Sequence, residues 1–229
     1  MYFDTYALLF AIPGLLLGIY AQIKLTAAYN QYLQVGIQSG VSGAEAARNI
    51  LDTAGLTDIP VAEVGGHLTD HYDPSKRELF LSEANYRGRS VSAVGVAAHE
   101  AGHALQQQAA YAPMELRMKL VPITQFASAA WMGIFVLGMV LGGALFHKFL
   151  WIAVGIFAVI TLFQIVTLPV EFDASRRAKD QLLRIGLVSP MESPAVSKVL
   201  NAAALTYVAA MVGAVMQLLR LLLLARNRN

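Results

Sequence analysis

The sequence predicts a mainly α-helical integral membrane protein of about four transmembrane helices, carrying a small α+β domain outside the bilayer. Three observations predict it. Of 229 residues, 56% are hydrophobic and 14% charged, and a mean hydropathy of +0.53 is too high for an ordinary soluble chain. Four uncharged stretches, Thr5–Ile23, Leu120–Phe146, Phe149–Val170 and Val199–Leu219, approach or exceed the roughly 20 residues that a bilayer crossing takes. Between the first two lies a polar segment in which helix and strand signals alternate.

The elements follow in order. Residues 1–23 read as a retained transmembrane anchor: Met1-Tyr2-Phe3-Asp4 brings a negative charge where a signal peptide is basic, and no small-residue cleavage site follows. Pro13-Gly14 and Gly18 are tolerated in membrane helices. In 24–119, Ser42-Gly43-Ala44-Glu45 is a capping box opening a helix that stops at Gly55. Val61–Val64 is a short strand ended by Gly65-Gly66, and Glu78–Ser82 is a second one after a turn at His71-Tyr72-Asp73-Pro74. A helix over Val91–Ala110 closes the segment. Residues 120–170 form a transmembrane hairpin turning at His147-Lys148. Pro169-Val170-Glu171 opens a helix that ends near Gly186, within segment 171–198. The last segment, 199–229, pairs a fourth apolar stretch with a basic tail. Asn201, Thr206, Tyr207 and Gln217 make that stretch partly polar, so it either crosses, packs on the other helices or re-enters.

Lys24–Lys119 and Arg176–Lys198 hold 13 of the 17 basic residues. Two spans separate them, so both lie on one side, and the positive-inside rule makes that side the cytoplasm of the cell membrane. A full fourth crossing would place Arg226 and Arg228 outside, against that count. The absence of cysteine removes disulfides, thiolate metal sites and thiol nucleophiles, so any metal must be held by His and carboxylate. A net charge of +2 without a basic, aromatic-interleaved stripe argues against nucleic acid as a partner.

The chemistry concentrates in Ala98-His99-Glu100-Ala101-Gly102-His103-Ala104. On a helix, residues four apart leave the same face one turn from each other, so His99 and His103 can direct two imidazole nitrogens at one ion. Glu100 lies about 100° round the helix, badly placed as a third ligand on that face and well placed to take a proton from a water that the metal activates. This is the H-E-x-x-H pattern with its zinc-hydrolase mechanics. The alternative is a helix with two incidental histidines, and two histidines and a carboxylate are unusual in an Ala/Val/Gly helix unless paired with something.

A catalytic zinc takes three protein ligands and one open position. The long metalloprotease motif would have Gly at 106 and His at 109; this chain has Gln106 and Ala109. Later carboxylates are Glu115, Glu171, Asp173, Asp180 and Glu192. Glu171 stands out because the hairpin returns the chain to the surface it left just after the motif helix. The competing reading makes Glu171 a helix-start carboxylate favoured by the macrodipole.

On these residues, with the Asp70-His71-Tyr72-Asp73-Pro74 turn and Leu168-Pro169-Val170-Glu171-Phe172-Asp173-Ala174-Ser175, the chain resembles the bacterial neutral zinc metallopeptidases of the YugP-like type, membrane-anchored gluzincins. It is more distantly similar to the HtpX-type and CAAX-prenyl membrane proteases. The resemblance spans nearly the whole chain. It implies a zincin-like cytoplasmic metallopeptidase domain, one Zn²⁺ on His99, His103 and Glu171, Glu100 as general base, and a protein or peptide substrate. It also implies that an edge strand before the motif helix, here Glu78–Ser82, pairs with extended substrate; Leu79, Phe80 and Leu81 serve equally as core. The distant relatives carry an Asp four residues after the Glu ligand, to orient a histidine. This chain has Ser175 there, which leaves Asp173 or Asp180 to act from another angle.

Candidates for an oxyanion donor are His71, Tyr72, Tyr86, Arg176 and Arg177, the two arginines competing for anionic headgroups. His67 and His71 are also four apart, but the glycines and Pro74 make their segment a turn, not a second metal site. No G-x-x-x-x-G-K-[ST] motif is present to power unfolding. Two other readings compete: a membrane scaffold with a structural metal, and an intramembrane site-2-type zinc protease. The bilayer is the environment in each, with a membrane adaptor or a second copy of the chain as further partners.

Overall fold

A computed structural model describes residues 7–226; the Met1–Asp4 stretch, the start of the first expected span at Thr5 and the tail residue Arg228 lie outside the described residues. Four helices there are long and apolar enough to cross a membrane: α1 (Ala7–Leu33), α5 (Ala112–Leu141), α6 (Gly143–Arg184) and α7 (Ser193–Arg226). Between α1 and α5 come α2 (Gly43–Thr53), β1 (Val61–Val64), β2 (His71–Asp73), β3 (Glu78–Ser82), α3 (Glu83–Arg87) and α4 (Val91–Gln108). The chain forms two compact units. One comprises the described residues of Met1–Ala21, Glu115–Pro169 and Thr206–Asn229; the other is Gln22–Met114 with Val170–Leu205.

The first unit is apolar on its outside as well as its inside. Leu8, Leu9, Leu15 and Leu16 on α1 and Phe126 and Val140 on α5 are exposed, a surface that suits lipid rather than water. Phe146, Leu150, Val154 and Phe157 recur at helical spacing on α6 and form one cluster with Ala214, Leu221 and Ala225 of α7. α1 and α7 approach closely at glycines: a Cβ on Gly14 would lie 2.8 Å from the Cα of Gly213, the small-residue packing that membrane helices use.

Two expectations about this region are corrected. The hairpin turns at Gly142, whose φ of +62° suits glycine, and not at His147-Lys148. That polar pair continues the helix, and Trp151 Nε1 donates to His147 Nε2 one turn on at 3.0 Å. Pro169 does not open a new helix either, because α6 runs through it in one piece. Proline removes a single N–H from the ladder, a loss long membrane helices absorb. α7 is likewise one continuous helix across its polar positions.

In the second unit the capping box forms as expected: Ser42 N donates to Glu45 at 2.6 Å, Glu45 N to Ser42 Oγ at 3.2 Å. α2 buries Ala46, Ala47, Ile50 and Leu51 in a core shared with Val94, Ala97, Ala98 and Ala101 of α4. β1 and β3 fall where the sequence put them. The expected turn at 71–74 contains a third strand, β2; only Tyr72 of its three residues is buried, too short a stretch for an alternation signal. The turn itself begins at Asp73, whose Oδ1 accepts from Ser75 N at 2.9 Å.

The strand order is β1-β3-β2, with β3 parallel to β1 and antiparallel to β2. Glu78–Ser82 is therefore the central strand, not the edge strand, and both its sides are paired. Leu79 and Leu81 are fully buried, the core role of the two readings. The outer strands are β1 and β2.

Candidate metal centre

α4 starts at Ser90, whose Oγ accepts from Ala93 N at 3.2 Å, and nearly every residue from Val91 to Gln106 is buried. Small residues let neighbours approach it from several sides. Gly102 is the tightest: a Cβ there would sit 2.5 Å from the carbonyl oxygen of Ala174 on α6. That close approach brings Glu171, one helical turn before Ala174, to the histidine face.

His99 and His103 stand edge to face, ring centroids 4.8 Å apart. Glu171, 1% exposed, sets Oε2 3.1 Å from His99 Nε2 and 3.6 Å from His103 Nε2. One ligand atom from each of the three lies within 4.8 Å of the others, the one such His/Cys/Asp/Glu group among the described residues. Glu171 sits far inside a continuous helix, so the macrodipole explanation loses its basis. Glu115, Asp173, Asp180 and Glu192 stand outside the group; Glu192 instead accepts from Gln38 N and Ser189 N.

The donor set fits zinc. Two imidazoles and a carboxylate are ordinary zinc ligands, and the hydrogen bonds around them leave both Nε2 atoms directed inward. Gln106 Nε2 donates to the carbonyl of Val170 at 2.7 Å and to Asp173 Oδ2 at 3.0 Å. Its Oε1, an acceptor only, therefore meets His103 Nδ1 at 3.0 Å, which must carry the proton and leave a lone pair on Nε2. His99 Nδ1 lies 3.1 Å from Ser175 Oγ. Such outer contacts fix tautomer and ring orientation.

Ser175 thus does occupy the orienting place of the expected Asp. Asp173 acts only through Gln106, held by Arg176 and Arg177, and Asp180 faces out and pairs with Arg176. Gln106 was not legible as a functional residue. Its one signal is a glutamine three residues after a motif histidine, and the burial that gives it meaning is a tertiary property. Gln106→Leu, of similar volume, is expected to weaken zinc binding by about 10–100-fold, read by competition with a chelator of known affinity.

Glu100 is buried on the neighbouring face, close to the backbone N–H of Tyr72 on β2. Burial pushes its pKa up to about 7; the charges of Glu171 and Asp70 raise it and the His99 charge and the Tyr72 N–H lower it. A carboxyl so placed can hold or release a proton near neutrality.

Four of the five oxyanion candidates, Tyr72, His71, Arg176 and Arg177, have polar or stacking partners of their own. Tyr72 donates its hydroxyl to Gln107 Oε1. His71 stacks on Phe80 at 4.8 Å and contacts the Thr69 carbonyl. Tyr86 packs against the core, and both arginines bind Asp173. His67 meets the Tyr29 ring at 5.7 Å.

A family model described as "Putative neutral zinc metallopeptidase" matches residues 7–226. A protein of Bacillus subtilis (strain 168), "Putative membrane protease YugP", is 45% identical over 216 residues, covering 94% of this chain and 95% of that protein. No solved structure gives a significant match.

Proposed function

Because the chain belongs to this neutral zinc metallopeptidase family, we propose that it is a membrane-anchored endopeptidase that hydrolyses peptide bonds with one zinc ion held by His99, His103 and Glu171. The observation that carries this reading is the convergence of both Nε2 atoms on the buried Glu171 carboxylate. Zinc bound there would lower the pKa of a water to about 7 and polarise the substrate carbonyl. Glu100, buried beside the histidines, takes the proton of the attacking water and returns it to the leaving amine. β2 is the outer strand next to Glu100, and extended substrate backbone meets the site along it.

Three ligands with no fourth among the described residues favour catalysis over a structural metal, whose site would be closed. The cluster belongs to the unit that contains the sheet, not to the apolar unit; this supports a site at the membrane surface over an intramembrane one. In this reading the segment 1–23 contains the anchor, 24–119 and 171–198 form the cytoplasmic catalytic part, 120–170 is the hairpin and 199–229 contains the last membrane helix.

Purified protein should contain one zinc per chain and cleave a casein-type substrate. Chelation should abolish cleavage and zinc should restore it; cleavage that survives complete removal of metal overturns the proposal. Orientation is tested in intact cells: a cysteine replacing Leu141 should react with an impermeant maleimide, and one replacing Gln38 only after permeabilisation. The reverse pattern would invert the topology.

A further inference from the structure

We propose that the cavity between the C-terminal turns of α1 and the N-terminal turns of α7 binds the headgroup of an anionic phospholipid. The cavity measures about 480 Å³, and its lining includes Lys24, Gln31 and Tyr32 from α1 with Lys198, Asn201 and Leu205 from α7. Alanines of both helices complete the wall, and no carboxylate lines it. The lysines, Gln31 and Asn201 are exposed, whereas Tyr32 is buried. Lys198 Nζ stands 6.0 Å from the Tyr32 ring centroid, which holds the ammonium over the cavity by its attraction to the ring face.

The chemistry of the lining is that of a phosphate diester with an acyl tail. Two lysines supply positive charge to the lining, Gln31 and Asn201 supply amide donors, and the alanines with Leu205 supply an apolar wall. Position selects the lipid over a soluble phosphate or an acidic peptide. Lys24 directly follows the uncharged stretch Thr5–Ile23, and Lys198 directly precedes Val199–Leu219. Lys24 therefore stands where α1 leaves the hydrocarbon, and Lys198, over the Tyr32 ring about two turns further along α1, stands to the aqueous side of that level. The two bracket the depth of a headgroup, and basic pockets between membrane helices recognise lipid phosphates in this way. No residue of the metal centre lines the cavity. The inference rests on the helices entering a bilayer and is independent of the hydrolytic reading.

The test is a lipid titration of the full-length protein in detergent by native mass spectrometry, with phosphatidylglycerol against phosphatidylcholine. Phosphatidylglycerol should bind at least about tenfold more tightly, and Lys24→Gln/Lys198→Gln should remove about tenfold of that affinity or more. Lys119→Gln/Lys148→Gln, exposed lysines outside the cavity, should leave it unchanged. Ala28→Trp, which fills the cavity without changing charge, should also abolish the preference. Equal loss in both lysine pairs would mean diffuse attraction to anionic surfaces and would overturn the site. So would equal binding of the two lipids. Inorganic phosphate bound in lipid-free protein through Lys24 and Lys198, with no preference for phosphatidylglycerol, would reassign the cavity to a soluble anion.

Discussion

Glu100→Gln is expected to leave zinc content unchanged and to lower peptide-bond cleavage by about 10²–10⁴-fold, the usual worth of a positioned general base. The amide keeps the size of the carboxyl, so the local packing survives. A neutral group is no stranger to this position, since burial already pushes Glu100 up to about 7. Glu100 lies outside the His99–His103–Glu171 group, so the variant should bind metal like the wild type. What it lacks is a lone pair basic enough to take a proton. Elemental analysis and a fluorescent casein assay on the same sample separate the two effects. Unchanged turnover would move the base elsewhere; lost zinc would make Glu100 part of the metal's own support.

The features readable in the sequence were those that depend on local repetition. Helical spacing puts His99 and His103 on one face, the Ser42–Glu45 box announces its own helix, and uncharged runs reveal apolar helices because a bilayer imposes length. The resemblance to a known family added the ligand set. The features that stayed hidden depend on contacts between distant segments. A three-residue strand such as His71–Asp73 has no periodicity to detect. The central place of β3 is set by what pairs on each side of it, which Leu79-Phe80-Leu81 cannot state. Pro169 looked like a helix start because proline favours the first turn, yet a helix already long on its N-terminal side passes through it.

The partners of the imidazoles show the same limit. Ser175 supplies His99 with a hydroxyl where the distant membrane proteases place a carboxylate. The charge reappears on the other side, since Asp173 reaches His103 through the Gln106 amide and is itself held by Arg176 and Arg177. A neutral partner gives less basicity to an imidazole than an anionic one does. Glu171 is then the negative charge in direct reach of the ion, and its loss should be the more damaging for it.

Glu171→Ala should accordingly lose zinc on desalting, a larger loss than the roughly 10–100-fold assigned to the Gln106 contact. The substitution removes one of three ligands and the group's one negative charge, and leaves two Nε2 atoms around a void. Glu171→Gln, which keeps volume and one acceptor oxygen, should retain zinc weakly, between alanine and wild type. Thermal unfolding gives a second readout. A ligand bound only by the folded state stabilises it by RT ln(1 + [L]/Kd), about 4 kcal/mol at 1,000 times Kd, so added zinc should raise the Tm of wild type and leave that of Glu171→Ala unmoved. In the metal-free protein the variant should also lose stability, since alanine takes the carboxylate away from both imidazoles and leaves a cavity at a buried position. The zinc-dependent shift in Tm is therefore read against each protein's own metal-free value. Full zinc occupancy in Glu171→Ala would exclude it as a ligand.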